Sequence, residues 1–395
     1  MREVVIVGGG PVGVLLGCLL AVRGVDVEVL EQRSQPSMRS RAIGIHPPSL
    51  RVLDQIGVAD DLMARAVRIR GGVVLCDGRT LGRLSFAEAA GRFPFVVALP
   101  QYETEALLRA RLEQLRPGAL RQGVTVLGVR ERGDHVEVTT EGAGTIQGRY
   151  VVGADGARSV VRDALGLGWS ARGRGETYLM GDFDDPEAGH TGRGTGAGTE
   201  AGTEAGTEAG AEAVLYFERG GVVESFPLPN GRRRWVAMTD GLATDATSAD
   251  LAEIIRDRTG VILPPSTDPP SPFSVRQRLA NRMLAGRVTL LGDAAHEISP
   301  IGGQGMNLGW LDALALAPAL AAALTEPSAG ASGLAGFDHR RRRSARMAAR
   351  QAGFNMAMGR PARGMRLGAR NAIVRTLAVP PARGILARAF TMRWL

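Results

Sequence analysis

The chain has 395 residues, of which 44% are hydrophobic and 22% charged, with a formal net charge of +8. That length exceeds one ordinary domain and supplies ample apolar material for one large or two interleaved units. All 48 basic residues are arginine, which reads as a composition bias; no nucleic-acid-reading motif accompanies the charge, so nucleic acid is not expected as a partner.

The chain opens with EVVIVGGGPVGVLLGCLLAVRGVDVEVLEQRS, which reads strand, tight turn, helix, strand. Val4 to Val7 form a short β-branched run suited to a parallel strand buried on both faces. Gly8, Gly10 and Gly13 give the G-x-G-x-x-G spacing, with Pro11 and Val12 inside the loop, and Val14 to Val22 continue as an apolar helical run. A second strand, Val25 to Leu30, ends at Glu31 and Gln32, about twenty residues after the loop, where a ribose-binding acid is expected. The physics of such a unit is direct. Gly8 permits the turn, Gly10 lets backbone amides approach a pyrophosphate, and Gly13 lets helix and strand pack closely, placing the anion at the positive helix end. A 2′-phosphate beside Glu31 would be repelled, so the site favours FAD or NAD.

Residues 71 to 96 and 171 to 271 differ in pattern. Short alternating runs, Val214 to Phe217, Val222 to Phe226 and Trp235 to Met238, predict an antiparallel sheet. The repeat GTGAGTEAGTEAGTEAGAEA, residues 194 to 213, has almost no bulky apolar groups and predicts a disordered loop without function. RYVVGADGARSVVRDALGL, residues 149 to 167, reads as a strand, a turn over Gly153 to Gly156, and a helix from Ser159. Parallel-strand character returns at Arg287 to Gly292, and from Arg341 the chain reads as arginine-rich helices broken by Pro361 and the Pro380-Pro381 pair. Three strand-ending glycine turns therefore converge on one sheet edge, where doubly wound folds bind ligands.

Together these motifs resemble the class A flavoprotein monooxygenases, the FAD-dependent aromatic hydroxylases related to p-hydroxybenzoate hydroxylase. The likeness rests on the N-terminal loop, Asp155-Gly156, and GDAAHEISPIGGQGMNLGWLDA from Gly292, with SRAIGIHPPSLRVLDQIG and PQYETEALLRARL between them. It implies an α/β fold: a Rossmann-like FAD-binding domain built from residues 1–70, 97–170 and 272–340, interleaved with an antiparallel-sheet substrate domain built from 71–96 and 171–271. A loop at about 190–213 and a C-terminal helical segment, 341–395, complete the expected division.

The resemblance also implies roles. Asp293 matches the acid that bonds the FAD ribityl chain, following Gly292. Gly303, Gln304, Gly305, Met306 and Asn307 match the loop that faces the flavin pyrimidine, where a helix N-terminus would stabilise charge on the reduced ring by about 0.3 to 2 kcal/mol. Pro300 matches a proline close to the ring, Arg41 an arginine reaching FAD, Gln101 a glutamine beside the flavin, and Asp155 an acid supporting the cofactor region. The chemistry implied uses NAD(P)H and O2 to hydroxylate an aromatic or polyketide-like small molecule through a C4a-hydroperoxyflavin. Epoxidation, Baeyer-Villiger oxidation, dehydrogenation and plain flavin binding stay open on the same scaffold. A halogenase is disfavoured, because its catalytic lysine and WxWxIP segment are absent.

No catalytic side chain is named, since the cofactor performs the hard step. His46 and His296 read as packing or loop-bonding residues. Tyr216, Phe226 and Trp235 read either as lining of a substrate pocket or as sheet core. Cys18 and Cys76 are too few for a metal cluster, and no metal is expected. No run supplies roughly 18 uninterrupted apolar residues, and no leader precedes the first strand, so a cytoplasmic monomer or homodimer is expected. Many members of the family carry a further thioredoxin-like domain, for which this chain is too short. The basic tail admits a peripheral membrane or carrier-protein contact, or a helix closing over the flavin domain with its arginines in solvent.

Overall fold

β1 (Arg2–Val7) is buried over Val4 to Val7 and runs into α1 (Pro11–Ala21) and β2 (Val27–Glu31). Pro11 occupies the first helical turn, where its missing amide proton has no partner to lose. Gly13 lies so close to the first turn that a Cβ there would run into the Gly8 carbonyl oxygen. α2 (Gln101–Leu115) and β3 (Gly144–Gly153) follow, and Ser159 caps α3 (Val160–Ala164) by accepting a hydrogen bond from the Arg162 amide at 3.0 Å.

The chain then enters a second sheet with β4 (Trp169–Asp184), β5 (Ala213–Glu218), β6 (Gly221–Leu228) and β7 (Arg232–Thr239). The helix α4 (Ser248–Thr259) is announced locally by a capping box between Thr247 and Asp250, and it stops at Gly260 in the left-handed conformation. β8 (Ser271–Ala280) closes that sheet, β9 (Val288–Leu290) returns to the first, and α5 (Gln304–Thr325), α6 (Pro327–Gly359) and α7 (Gly364–Leu377) complete the chain. The computed structural model describes residues 1–37, 42–86, 92–142, 144–185, 212–299 and 303–380, with 382, 384, 388, 391 and 392 beyond them. Arg41, Pro300 and residues 194–211 of the repeat lie outside the described residues.

In the first sheet β9, β3, β1 and β2 are neighbours and all parallel. Val7 stands opposite both Gly153 and Leu30, and Gly153 opposite Leu290, so four strands end level. That register carries the Gly8, Gly153 and Gly292 turns to one rim, the place where doubly wound sheets bind ligands.

The second sheet departs from the purely antiparallel expectation at one pair: β5 runs parallel to Gly71–Cys76. These two strands come from distant parts of the chain, so no hairpin constrains their sense. One face of the sheet packs on α4, burying Leu179, Val223, Trp235, Leu251 and Ile255. The other presents Tyr178, Met180, Phe217 and Val236.

α5 is long and apolar enough to cross a membrane by composition, which the search for an uninterrupted run missed, but Leu308, Trp310, Leu316 and Leu320 are wholly buried in the first core. α6 joins the two cores, with Leu334, Phe337 and Ala348 in the first and Met356 in the second. Arg341 on α6, in a segment for which one reading put the arginines in solvent, is buried instead and pairs with Asp312 at 2.6 Å; Arg370 on α7 is buried as well and donates to backbone carbonyls including Phe217.

Candidate active site

A single cavity of about 840 Å³ runs from the β1 rim to the inner face of the second sheet. Gly8, Gly10, Pro11, Val12, Glu31 and Gln32 line its first end, and Gln101, Asp155, Gly292 and Asp293 its middle. Gly303, Gly305 and Met306 flank the passage onward to Phe226 and Phe273. Thus the two glycine clusters, nearly three hundred residues apart in sequence, face one space.

At the first end Gly10 caps α1, and a Cβ built there would meet nothing within 4 Å. Room therefore exists for an anion at the helix N-terminus, where free amides and the helix dipole attract it. Glu31 is 3% exposed; its carboxylate accepts from the Gly9 amide at 2.8 Å and from the Arg33 amide and Nε at 3.0 and 2.9 Å. Burial alone would raise the Glu31 pKa, but bonding to Arg33 and Gly9 outweighs it and holds the carboxyl below its usual range. A carboxylate offers about four acceptor positions, so roughly one stays open toward a ribose hydroxyl.

Farther along, Asp155 lines the cavity and accepts from the Val161 amide at 3.2 Å, while its Oδ1 is buried with no partner among the described residues. Burial pushes its carboxyl upward. An orphaned buried oxygen is costly, and a bound group with a hydroxyl or amide donor would satisfy it. Asp293 sits in a single 3-10 turn after β9, exposed to the cavity. Gly303 caps α5 with φ +67, a conformation that glycine adopts without strain, and turns the helix N-terminus toward the cavity.

Three expected cofactor residues lie behind the lining. Gly13 is buried against Gly8, and Gln304 is 0% exposed, with both side-chain amide atoms lacking partners among the described residues. Asn307 ties the helix start to a short strand: it accepts from the His46 amide at 2.9 Å and donates to the carbonyls of Gly44 at 2.8 Å and Gly303 at 2.6 Å. His46 lines the cavity, whereas His296 does not. His296 instead meets Asp312 in the core, and Asp312 also holds Arg341, so the turn carrying Asp293 is anchored to α5 and α6. Asp312 is completely buried; burial would raise its pKa, but His296 and Arg341 together keep it low.

At the far end the alternation of each strand decides which residues reach the cavity. Leu215 and Phe217 of β5, Glu224 and Phe226 of β6, and Arg234 and Val236 of β7 face it. Tyr216 and Trp235 point the other way and stack on each other at 6.0 Å against α4, so of the three aromatic candidates only Phe226 lines the pocket. Tyr178 stacks on Phe273 at 5.5 Å, and its hydroxyl donates to Glu176 at 2.8 Å. Phe354, Asn355 and Met358 of α6 and Leu377 of α7 also line the cavity, a contribution the sequence reading did not assign. Arg109, which donates to the Gly9 carbonyl at 3.0 Å, and Glu224 were missed as well. Glu224 had left a signal: an acid at an inward position of the apolar run Val222–Phe226.

A level rim of glycine turns, an acid after β2 and a continuous cavity along that rim define a dinucleotide-binding protein. Residues 1–352 match the FAD binding domain family, and the chain belongs to it; its cofactor is FAD. The chain is 33% identical over 345 residues to 6-methylpretetramide 4-monooxygenase of Streptomyces rimosus, a match covering 81% of this chain and 55% of that protein. It is 33% identical over 330 residues to rifampicin monooxygenase of Streptomyces venezuelae, covering 82% and 64%. The match thus spans less than two thirds of the length of either relative. Among solved structures, p-nitrophenol 4-monooxygenase of Pseudomonas putida superposes with a TM-score of 0.83 at 26% identity, covering 99% of this chain and 98% of that one.

Proposed function

We propose that the protein is an FAD-dependent monooxygenase that uses NAD(P)H and O2 to hydroxylate an aromatic or polyketide-like small molecule. The observation that carries this reading is the single cavity joining a dinucleotide cradle to an apolar, aromatic-lined sheet face. Bound FAD supplies the redox and oxygen chemistry; the chain's work is to hold, orient and seal.

Gly10, Glu31 and the α1 N-terminus would hold the ADP end, and Asp293 and the Gly303 turn would hold the ribityl and ring end. Phe226, Phe273, Phe354 and Met358 would enclose the substrate and keep water from the reacting atoms, the role a sealed pocket plays in oxygen transfer. No nucleophilic triad lines the described part of the cavity, in keeping with a reaction in which the protein contributes placement.

The test is direct. The purified protein should be yellow, and candidate phenols should stimulate NADH or NADPH oxidation with one atom of labelled O2 appearing in the product. Asp293→Ala should lose flavin. A colourless protein that FAD fails to reconstitute refutes the reading, and product without label moves it to a dehydrogenase.

A further inference from the structure

We propose that Glu224, on the cavity face of β6, recognises the oxygen of an uncharged aromatic ketone or phenol and turns aromatic carboxylates away. The inference rests on the monooxygenase reading above and names the class of substrate that site takes. Glu224 is 4% exposed, lines the cavity, and has a buried Oε1 with no hydrogen-bond partner among the described residues. A buried carboxyl without a partner is a cost to folding, which a structural role would have removed by supplying one. Its orientation toward a ligand space gives the group a purpose there.

The neighbouring charges are already matched. On β7, Arg234 holds Asp182 through two bonds at 2.6 and 2.7 Å, so its guanidinium is neutralised within the sheet. On β4, the Tyr178 hydroxyl is committed to Glu176, which in turn accepts from Arg360. Arg83, on the strand Arg79–Ser85, pairs with Glu212. β8 contributes Phe273, Ser274 and Val275, and α6 and α7 contribute only uncharged lining residues. Among the described residues of the sheet face around Glu224, then, no cation is left uncommitted; Arg158, which also lines the cavity, belongs to the turn after Asp155 on the FAD-binding rim.

With no partner, burial pushes the Glu224 carboxyl up to about 8. At neutral pH it is a carboxylic acid, presenting an O–H donor and a carbonyl acceptor. Such a pair matches a ketone oxygen or a phenol hydroxyl, whereas a substrate carboxylate would have to shed its hydration against an apolar sheet face with no free cation beside Glu224 to replace it.

The experiment measures binding of xanthone, an uncharged aromatic ketone, and of xanthone-2-carboxylate to the FAD-loaded protein by fluorescence titration at about pH 6.5 and about pH 9.5, on either side of the Glu224 titration. Xanthone should bind more tightly at the lower pH, because the acid proton is then present to donate. In Glu224→Gln the amide still donates, so affinity should stay within about threefold and lose its pH dependence; in Glu224→Leu it should fall about 3- to 10-fold, the worth of one neutral hydrogen bond. The carboxylate should bind at least about tenfold more weakly than xanthone to the wild type at about pH 6.5, and in Glu224→Gln the gap between the two ligands should not change with pH.

Thermal unfolding supplies a control, since Glu224→Leu should be at least as stable as the wild type. Failure of the wild type to bind xanthone, equal affinities and pH profiles in all three proteins, or a Glu224→Leu protein less stable than wild type would overturn the proposal. Flavin content and O2 uptake driven by NADH or NADPH, read on the same preparations, separate the two levels. Loss of those sinks the monooxygenase reading, whereas intact flavin with binding indifferent to Glu224 sinks this inference alone.

Discussion

Replacing Gly10 with alanine separates the fold from the ligand. Gly10 has φ −76 and ψ −177, an extended conformation open to any residue, and a Cβ there meets no atom within 4 Å. For the apoprotein, the reduced freedom of the unfolded chain stabilises by about 0.4–1 kcal/mol, and alanine's poorer helix capping costs about as much, so stability should change by less than about 1 kcal/mol. For the holoprotein, the same methyl occupies the space through which the α1 amides reach a pyrophosphate. Loss of one charge-assisted hydrogen bond, about 1.5–3 kcal/mol, corresponds to about 10- to 100-fold weaker FAD binding.

Gly13→Ala should behave differently. Its Cβ would strike the Gly8 carbonyl, a backbone atom that cannot rotate aside, so overpacking of about 1–3 kcal/mol should appear already in the apoprotein. Denaturant unfolding of both apoproteins and flavin-fluorescence titration measure the two effects. The reasoning is refuted if Gly10→Ala binds FAD as tightly as the wild type, or if it destabilises the apoprotein more than Gly13→Ala does.

Asp312→Ala should cost about 3–5 kcal/mol, because it leaves Arg341 and His296 buried without their carboxylate; an unchanged urea midpoint would disprove the anchoring role. Glu31→Gln should weaken FAD binding and lower stability at neutral pH. The folded Glu31 pKa lies below its unfolded value, so its contribution is complete above about pH 4.3 and is lost as the pH falls through the folded value. Urea midpoints of Glu31→Gln and wild type should therefore converge in acid, and parallel curves would contradict this. Trp235→Ala should cost about 3–5 kcal/mol of stability while leaving xanthone affinity intact, whereas Phe226→Ala should weaken that affinity at a smaller stability cost. The reverse pattern would mean that the sheet faces are misassigned.

Much of the first sheet was legible because its signals are local. The Gly8–Gly13 spacing, the buried Val4–Val7 run and Glu31 lie within one unit whose geometry follows from steric rules and hydrogen bonding between near neighbours. Ser159 and the Thr247–Asp250 box likewise announce helix starts within four residues. Alternation in Val214–Phe217, Val222–Phe226 and Trp235–Met238 revealed strands with two unlike faces.

What alternation leaves open is which face meets the ligand. Tyr216 and Trp235 share one parity and Leu215, Glu224 and Val236 the other, and either set could have lined the pocket; packing of α4 on the first set decided it, because a shift of one residue would exchange the faces. His296, next to the cofactor motif in sequence, turned into the core because Asp312 and Arg341 arrive there from distant helices. By itself the sequence determined the nucleotide-binding unit, whose contacts are short in chain distance. The sheet-lined end of the cavity, the buried ion network and the buried Glu224 emerged only from tertiary structure, since each depends on side chains that meet across tens to hundreds of residues.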